Sequence, residues 1–424
     1  MRKNTATSLI TLTAITTLAA AVLAGCSTST TGSGGGRTLT IGWNSLDRPG
    51  IDAAVAAFKK SHPDVEIKLT SADVADYQAL IRTQLSSGTA PDVFYVWPGN
   101  GNPGAIEALA PGGYLADLSG RAWVANIPGS IKSRTEVDGT TYFAPMATNG
   151  IGAIYNMDLM GKLGIKVPDT WDSVLEYCAK AKAAGKIPYD VGVADIFAIM
   201  VPYALVATNV YTTTPDFDAE QAAGKSSFES SPGYKKSLEQ EIEMRDAGCF
   251  GSVPTGTVLA DTVTHIADGS ALAVINITTT LGQFTKAAPN TTLKFFPLPA
   301  TNDPSETRIS GSSGAGPAVN AKTGNMELAL EFVDWMGSAE GQTAYAGGSK
   351  QVPPMSGDLY QPSDLVAEVA KMYKENRVSP LLDQNWPNAV VQERLVSAVQ
   401  QLMADKSSIG EVLKIMDVAY TTGK

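Results

Sequence analysis

Six tryptophans are spread along the chain, and three of them stand where an indole face can meet a ligand. Trp43, Trp97 and Trp386 fall at strand ends or in a loop, beside Asn44, Gly99 and Asn385. A flat apolar ring bordered by small or amide-bearing neighbours offers contact across its face and hydrogen bonds at its edge. Trp171 and Trp335 lie on helical apolar stripes and are expected in the core, while the sequence leaves Trp123 undecided.

Other chemistry-bearing patterns are weaker. Gly99, Gly101 and Gly104 spell G-x-G-x-x-G after a strand, which in a dinucleotide site would cradle a pyrophosphate. Here Trp97 and Pro98 separate the strand from the glycines, the strand is not the first of its unit, and no acidic strand end follows at the required spacing. Gly224, Lys225 and Ser226 supply the end of a phosphate loop, but Ala219 stands where its first glycine is needed. The sequence holds neither G-x-S-x-G nor H-E-x-x-H. His62 and His265 are the only histidines, which argues against a metal held by clustered imidazoles, and both read as surface or packing residues. Glycoside hydrolysis needs only two carboxylates, which can converge from distant loops, so a glycosidase stays open.

The elements that would position these residues are numerous. A chain of 424 residues, 44% hydrophobic and 17% charged, is long enough for two to three domains and buries a core. Its net charge of -10 argues against nucleic acid as a partner. Residues 37–43 read as a strand, 51–60 as a helix with apolar positions 51, 54, 55 and 58, and 65–69 as a strand. A helix over 75–85 and a strand over 92–96 complete a βαβαβ unit, whose ligands bind beyond the carboxyl ends of the strands. Trp43, Asn44, Trp97 and Pro98 occupy those ends. A second α/β region follows, with a strand over 151–155, a helix opened by Asp169, Thr170 and Trp171, a helix over 233–247 and a helix before Gly269. The strand 271–276, a short proline-interrupted crossing over 295–299 and a helix over 325–336 lead to a mostly helical C-terminal third.

At the N-terminus, Arg2 and Lys3 precede an apolar run that ends at Leu23 and has the character of a secretory signal. Leu23, Ala24, Gly25 and Cys26 resemble the lipobox of bacterial lipoproteins, in which the cysteine is lipidated and becomes the mature N-terminus. Removing residues 1–25 takes away Arg2 and Lys3 and no acid, moving the net charge from -10 to -12. Residues 26–36, rich in Ser, Thr and Gly after the cysteine, then form a flexible tether. Cys178 and Cys249 remain in a compartment that permits disulfides. Cys178 shares an apolar helix face with Trp171, Val174 and Leu175, so two buried thiols are expected, a disulfide being the alternative.

An ordered set of residues runs along the chain: Phe58 with His62 and Pro63; Ser87, Gly88, Pro91 and Asp92; and Gly139 with Tyr142, Phe143 and Pro145. Tyr155 and Asn156, Leu163 to Ile165 before Pro168, Thr170 and Trp171, and Asp268 and Gly269 before Ala271 continue it. It closes on Trp335, Met336 and Ser338 before Glu340 and Gly341. By order and spacing together, rather than by any one motif, the chain from about residue 38 onward resembles the extracellular solute-binding proteins of ABC importers, the sugar-binding group that includes maltose-binding protein.

The resemblance implies a two-lobed, hinged α/β fold of the periplasmic-binding-protein type with a ligand cleft between the lobes. The first lobe would take residues 37–145 and 298–351, the second 146–297 and 352–424. It implies a receptor, monomeric and without cofactor or catalysis, that captures a carbohydrate, most simply an oligosaccharide. That receptor would deliver it to ABC permease subunits while lipid-anchored through Cys26 on the outer face of a bacterial membrane. A binding protein for a non-sugar solute and an extracellular glycosidase are the alternatives. By position, the ligand residues would be Trp43, Asn44, Asp47 and Trp97 from the first lobe. Asp195, Phe197, Asn276, Thr278 and Trp386 would come from the second, Thr278 standing where the family usually has a tryptophan.

Overall fold

The computed structural model describes residues 37–422. The expected signal peptide, Cys26 and the tether lie outside these residues. The chain opens with β1 (Arg37–Asn44), α1 (Arg48–Ser61), β2 (Val65–Ala72), α2 (Val74–Ser87) and β3 (Val93–Val96). In α1, Ile51, Ala54 and Phe58 recur on one helical face and are buried, Pro49 sits in the first turn, and Lys59 and Lys60 occupy the last turn. Phe58 carries that face into the core, edge-on to Phe332 and Trp335 at 5.0 and 5.4 Å. Gly88 ends α2 in the left-handed conformation at φ 74° and returns its N–H to the last turn.

The second α/β region supplies β4 (Ile151–Asn156), α3 (Trp171–Ala183), β5 (Ile187–Asp190), α4 (Met200–Asn209) and α5 (Pro232–Asp246). It continues with α6 (Leu259–Asp268), β6 (Ala271–Ile277), β7 (Leu293–Phe296) and β8 (Ile309–Ser310). Thr170 caps α3, exchanging hydrogen bonds with Ser173 in a capping box. β9 (Gly316–Val319) returns to the first sheet, followed by α7 (Met326–Gly337) and α8 (Ala339–Ser349). β10 (Val378–Ser379), α9 (Val390–Met403) and α10 (Ile409–Thr421) end the described chain.

Two sheets result. The first has the order β9-β3-β1-β2, with β1 parallel to both β2 and β3 and β9 antiparallel to β3. The second runs β10-β8-β4-β6-β5, with β7 pairing with β4 off that path. Each sheet has its own buried cluster, Leu39, Ile41, Phe94 and Phe332 in the first and Tyr155, Tyr177, Leu205 and Leu272 in the second. A third cluster, including Ile154, Val274 and Phe295, covers the opposite face of the second sheet.

The segments that cross between the sheets lie side by side. Thr148 forms bridges with both Ser313 and Val352, and Met146 and Asn149 donate their N–H groups to Ala315 and Ser312. The sequence placed a crossing at 295–299 and the return to the first lobe at 298. The structure corrects both. Leu293–Phe296 is a strand paired with β4, and Ile309 and Ser310 still pair within the second sheet, so the chain crosses over 311–315. The prolines at 297 and 299 end a strand that packs on the second lobe instead of leaving it.

Cys178 of α3 and Cys249, after α5, form a disulfide with the Cα atoms 5.0 Å apart. This replaces the expectation of two free thiols: the helix face that buries Cys178 also presents it to the turn that buries Cys249. The bridge closes a sequence separation of 71 residues, for which chain entropy alone gives a stabilisation of about 4 kcal/mol. Replacing both cysteines by alanine is expected to lower the urea midpoint accordingly, read by circular dichroism. A midpoint unchanged by the double substitution, or by reductant, would count against the bridge.

Candidate functional site

A cavity with about 780 Å³ of space between atoms, counting its open mouth, lies between the two sheets. The first lobe contributes Asn44, Gln78, Tyr95, Trp97 and Asn102 to its wall. The second contributes Phe197, Met200, Tyr203, Asp383, Gln384 and Gln392, and the crossing segments add Asn149 and Ala315. Ligand sites at strand ends and between domains are where α/β folds place them.

The end of β1 shows how the backbone divides its residues. Successive side chains of a strand point to opposite faces. Leu39, Ile41 and Trp43 share the core face, so Trp43 is fully buried, edge-on to Tyr95 at 4.8 Å and to Tyr345 at 6.1 Å. Asn44, on the other face, reaches the cavity. Trp97 follows β3 and stands in the wall, its ring edge-on to Tyr95 at 4.8 Å and tilted against Tyr77 at 5.8 Å.

Asp47 is also withdrawn from the cavity. Its carboxyl is buried and accepts hydrogen bonds from the Tyr345 hydroxyl, from the Tyr95 hydroxyl at 3.5 Å and from Gln351 Nε2 at 3.1 Å. Burial pushes it up to about 7, the three donors opposing the rise. Asp47 therefore ties the start of α1 to β3 and α8. Asn44 supports it by accepting its backbone N–H at 3.1 Å.

In the second lobe, Phe197 lines the cavity and Asp195 does not. The Asp195 carboxylate accepts the N–H groups of Phe197 at 2.9 Å and Leu259 at 2.7 Å, fixing the turn that aims Phe197 inward. Asn276 accepts the neighbouring Ile277 N–H, and the Thr278 hydroxyl accepts the Gly150 N–H, joining the end of β6 to the start of β4. Both are buried outside the wall, which takes Ile277 and Thr279 from this stretch. Trp386, 2% exposed, packs edge-on against Tyr203 and Phe228, so it backs Tyr203, which lines the cavity. The three indoles expected in one groove thus separate into one in the wall, Trp97, and two in the cores of their lobes.

Sequence reasoning missed the polar wall of the second lobe. Asp383 is buried, held by Gln392 Nε2 at 3.3 Å, and burial pushes it up to about 6. Gln384 Oε1 and Asn149 Oδ1 are buried oxygens without a hydrogen-bond partner, on two residues of the wall. Such atoms are costly unless a ligand or water satisfies them. In sequence the run Asp383 to Trp386 is marked only by its indole, and no local pattern distinguishes the carboxylate and amide before it as wall residues. Among the described residues no group of three or more His, Cys, Asp or Glu is placed to hold a metal. His62 stacks on Phe58 at 3.9 Å and faces Glu331, and His265 Nδ1 lies 2.6 Å from Asp190.

Residues 53–373 match the model of the bacterial extracellular solute-binding proteins. The chain belongs to that family. This solute-binding protein is 23% identical over 296 residues to the multiple sugar-binding protein of Streptococcus mutans, spanning 68% of each chain. It is 26% identical over 205 residues, 46% of each chain, to the melibiose/raffinose/stachyose-binding protein MelE of Bacillus subtilis. Its fold superposes at a TM-score of 0.73 on RafE in complex with raffinose, at 20% identity over 90% of this chain and all of that one. It superposes at 0.76 on a structure from work on xylan utilisation by Caldanaerobius polysaccharolyticus, at 19% identity over 90% of this chain and 99% of that one. These likenesses establish the two-lobed fold.

The Asp47 carboxyl gives the solute-binding protein a pH dependence of its own. A folded carboxyl held near 7 keeps a proton that the unfolded chain, at 3.8, has released. Stability from this group therefore falls as pH rises from about 4 to about 7. Asp47→Asn keeps an acceptor and removes the titration, so urea midpoints across that window are expected to fall less steeply than in the wild type. Parallel slopes would show that Asp47 is ionised throughout.

Proposed function

We propose that this protein is the extracytoplasmic receptor of an ABC importer, binding a carbohydrate between its lobes and handing it to membrane permease subunits. The observation that carries the reading is the composition of one wall: Tyr95, Trp97, Phe197 and Tyr203 line it from both lobes, together with Asn44, Gln78, Asn102, Asp383 and Gln384. A sugar presents C–H faces to rings and hydroxyls around its edge that both donate and accept. Asp383 accepts two hydroxyls, and the amides donate and accept. The names of the relatives, which bind raffinose, melibiose or stachyose, point the same way.

The ligand set proposed is accordingly Asn44, Trp97, Phe197, Asp383 and Gln384 in contact. Asp47, Asp195, Asn276, Thr278, Trp43 and Trp386 hold the surfaces that touch it. Binding to both lobes at once favours the closed arrangement by the ligand's differential affinity, which lets permease subunits distinguish loaded from empty receptor. Anchoring through a lipidated Cys26 and a monomeric state belong to the same proposal; mass spectrometry of the membrane-extracted N-terminus tests the anchor.

A glycosidase would need two carboxylates flanking one bond, and among the described residues of the wall Asp383 is the single carboxylate. A thermal-shift screen with galactose, raffinose, stachyose, xylotriose and chitotriose, followed by chromatography of each mixture, separates the readings. Stabilisation without products supports a receptor, products an enzyme, and stabilisation only by a non-sugar solute overturns the carbohydrate class.

Covering about 100 Å² of ring and sugar at about 25 cal/mol/Å² contributes roughly 2.5 kcal/mol, close to two decades of affinity. Trp97→Ala is therefore expected to weaken binding of the best sugar of that screen at least tenfold by calorimetry, with the fold intact. Trp43→Ala, deep in the first core, is expected to cost about 3–5 kcal/mol of stability instead. Unchanged affinity in Trp97→Ala removes the assignment of this cavity.

A further inference from the structure

The glycines at 99 and 101 belong to the first lobe, yet what crowds them belongs to the second. A Cβ placed on Gly99 would stand closer than 3.0 Å to the backbone of Gln384, and one on Gly101 closer than 3.0 Å to the backbone of Asp383. Side chains are excluded there because two main chains touch. Between the glycines, Asn100 Nδ2 donates to the Pro387 carbonyl at 2.6 Å, and Arg134 of the first lobe donates to the Gln384 carbonyl at 3.3 Å.

Both partners are anchored in their own lobes. Glu107 donates its N–H to the Gly99 carbonyl at 3.0 Å, Ile106 donates to the Trp97 carbonyl at 2.9 Å, and Gly104 sits close enough to the Trp97 ring that a Cβ there would crowd it. On the other side, Leu382 and Trp386 are buried in the second-lobe core on either side of the contact, and Gln384 Nε2 bonds to Ser313 of a crossing segment. The contact therefore joins two firm surfaces. It lies at the wall of the cavity, with Trp97 two residues before one partner and Asp383 and Gln384 forming the other.

We propose that Gly99, Asn100 and Gly101 form a clasp, a backbone contact with residues 383–387 that sets how far the lobes close and holds Asp383 and Gln384 opposite Trp97. Gly101 is the positioning residue. Gly99 has φ 73° and would be strained by any side chain, whereas Gly101 carries no positive φ, and the atoms nearest to a Cβ there all belong to Asp383 of the other lobe. A methyl group at 101 wedges the lobes apart without touching either core.

The proposal rests on the reading of the cavity as the solute site, and the test separates the two. Nitroxide labels at exposed Leu80 and Val253, one on each lobe, report the distance between lobes by pulsed electron resonance. Galactose, raffinose, stachyose, xylotriose and chitotriose serve in turn as probe, with calorimetry alongside. The wild type and Gly120→Ala, an exposed site with open space around it, are expected to show a short-distance population with the binding sugar. Gly101→Ala is expected to lose that population and at least tenfold in affinity while keeping the wild-type circular dichroism spectrum. Asn100→Ala, which leaves the backbone untouched, is expected to weaken binding severalfold and serves if Gly101→Ala does not fold. Gly101→Ala closing and binding like the wild type while Trp97→Ala does not bind would overturn the clasp and leave the site standing. A wild type that shows no short-distance population with any probe would overturn the clasp as well. Gly101→Ala and Trp97→Ala both binding normally would overturn the site itself.

Discussion

Thr148 is the point at which three separate stretches of chain lie side by side, and the geometry of the cavity follows from that pairing. Its N–H and hydroxyl both donate to the Val352 carbonyl, at 2.8 and 3.2 Å, and it bridges to Ser313 on its other side. Gly314 and Met146 extend the pairing toward the first sheet, and Asn149 with Ser312 extends it toward the second. The Tyr373 hydroxyl sits between the carbonyls of Asn149 and Ser312, at 2.8 and 2.9 Å. Such a joint resists sliding, because any shift in register breaks several backbone bonds at once. It yields to bending, because extended strands absorb rotation in a few backbone angles. The cavity floor, Asn149, Ile151 and Ala315, is built on this joint, and its walls belong to the lobes on either side.

How much of this was legible in the sequence follows from what each signal measures. The apolar period of α1 and the alternation of β1 report burial directly, and the first βαβαβ unit lies within a few residues of the expected bounds. The same alternation held the answer for Trp43. Leu39, Ile41 and Trp43 are one face of one strand, so the rule that identified the strand also assigns this indole to the core and Asn44 to the cavity. Asp47 and Trp386 were harder. Their burial depends on Tyr345, Gln351, Tyr203 and Phe228, which lie far along the chain, and no local pattern announces such neighbours. Phe197 and Asp195 were named as a pair. Only the hydrogen bonds to the N–H groups of Phe197 and Leu259 distinguish the residue that touches the cavity from the one that aims it.

The electrostatics of the wall bear on what the cavity can hold. Asp383 is buried with Gln392 as its hydrogen-bond donor, and burial is the dominant influence on its proton. A carboxyl so placed favours a ligand that brings its own hydrogen-bond donors, since each donor recovers part of the solvation lost on burial. A polyol meets that demand without charge. A carboxylate-bearing or phosphorylated solute would bring a second negative charge against buried Asp383, where such repulsion is stronger than in water. A neutral solute rich in hydroxyls therefore suits the wall better than an anionic one.

The glycine spacing after β3 shows how one sequence pattern serves two physical ends. In a nucleotide site, glycines permit a phosphate to approach the main chain. Here the main chain of the other lobe makes that approach, as the crowding of Gly99 by Gln384 and of Gly101 by Asp383 requires. Gly104 meets the Trp97 ring instead, so the third glycine of the pattern serves the aromatic wall. All three are explained by proximity to something, which is the only inference glycine supports by itself. The sequence could reject the nucleotide because Trp97 and Pro98 interrupt the turn that a pyrophosphate needs. It could not supply the true neighbour, since residues 383–387 lie far along the chain and reach Gly99 only once both lobes are folded about the joint at Thr148. Such a contact lies between the two buried clusters rather than inside either.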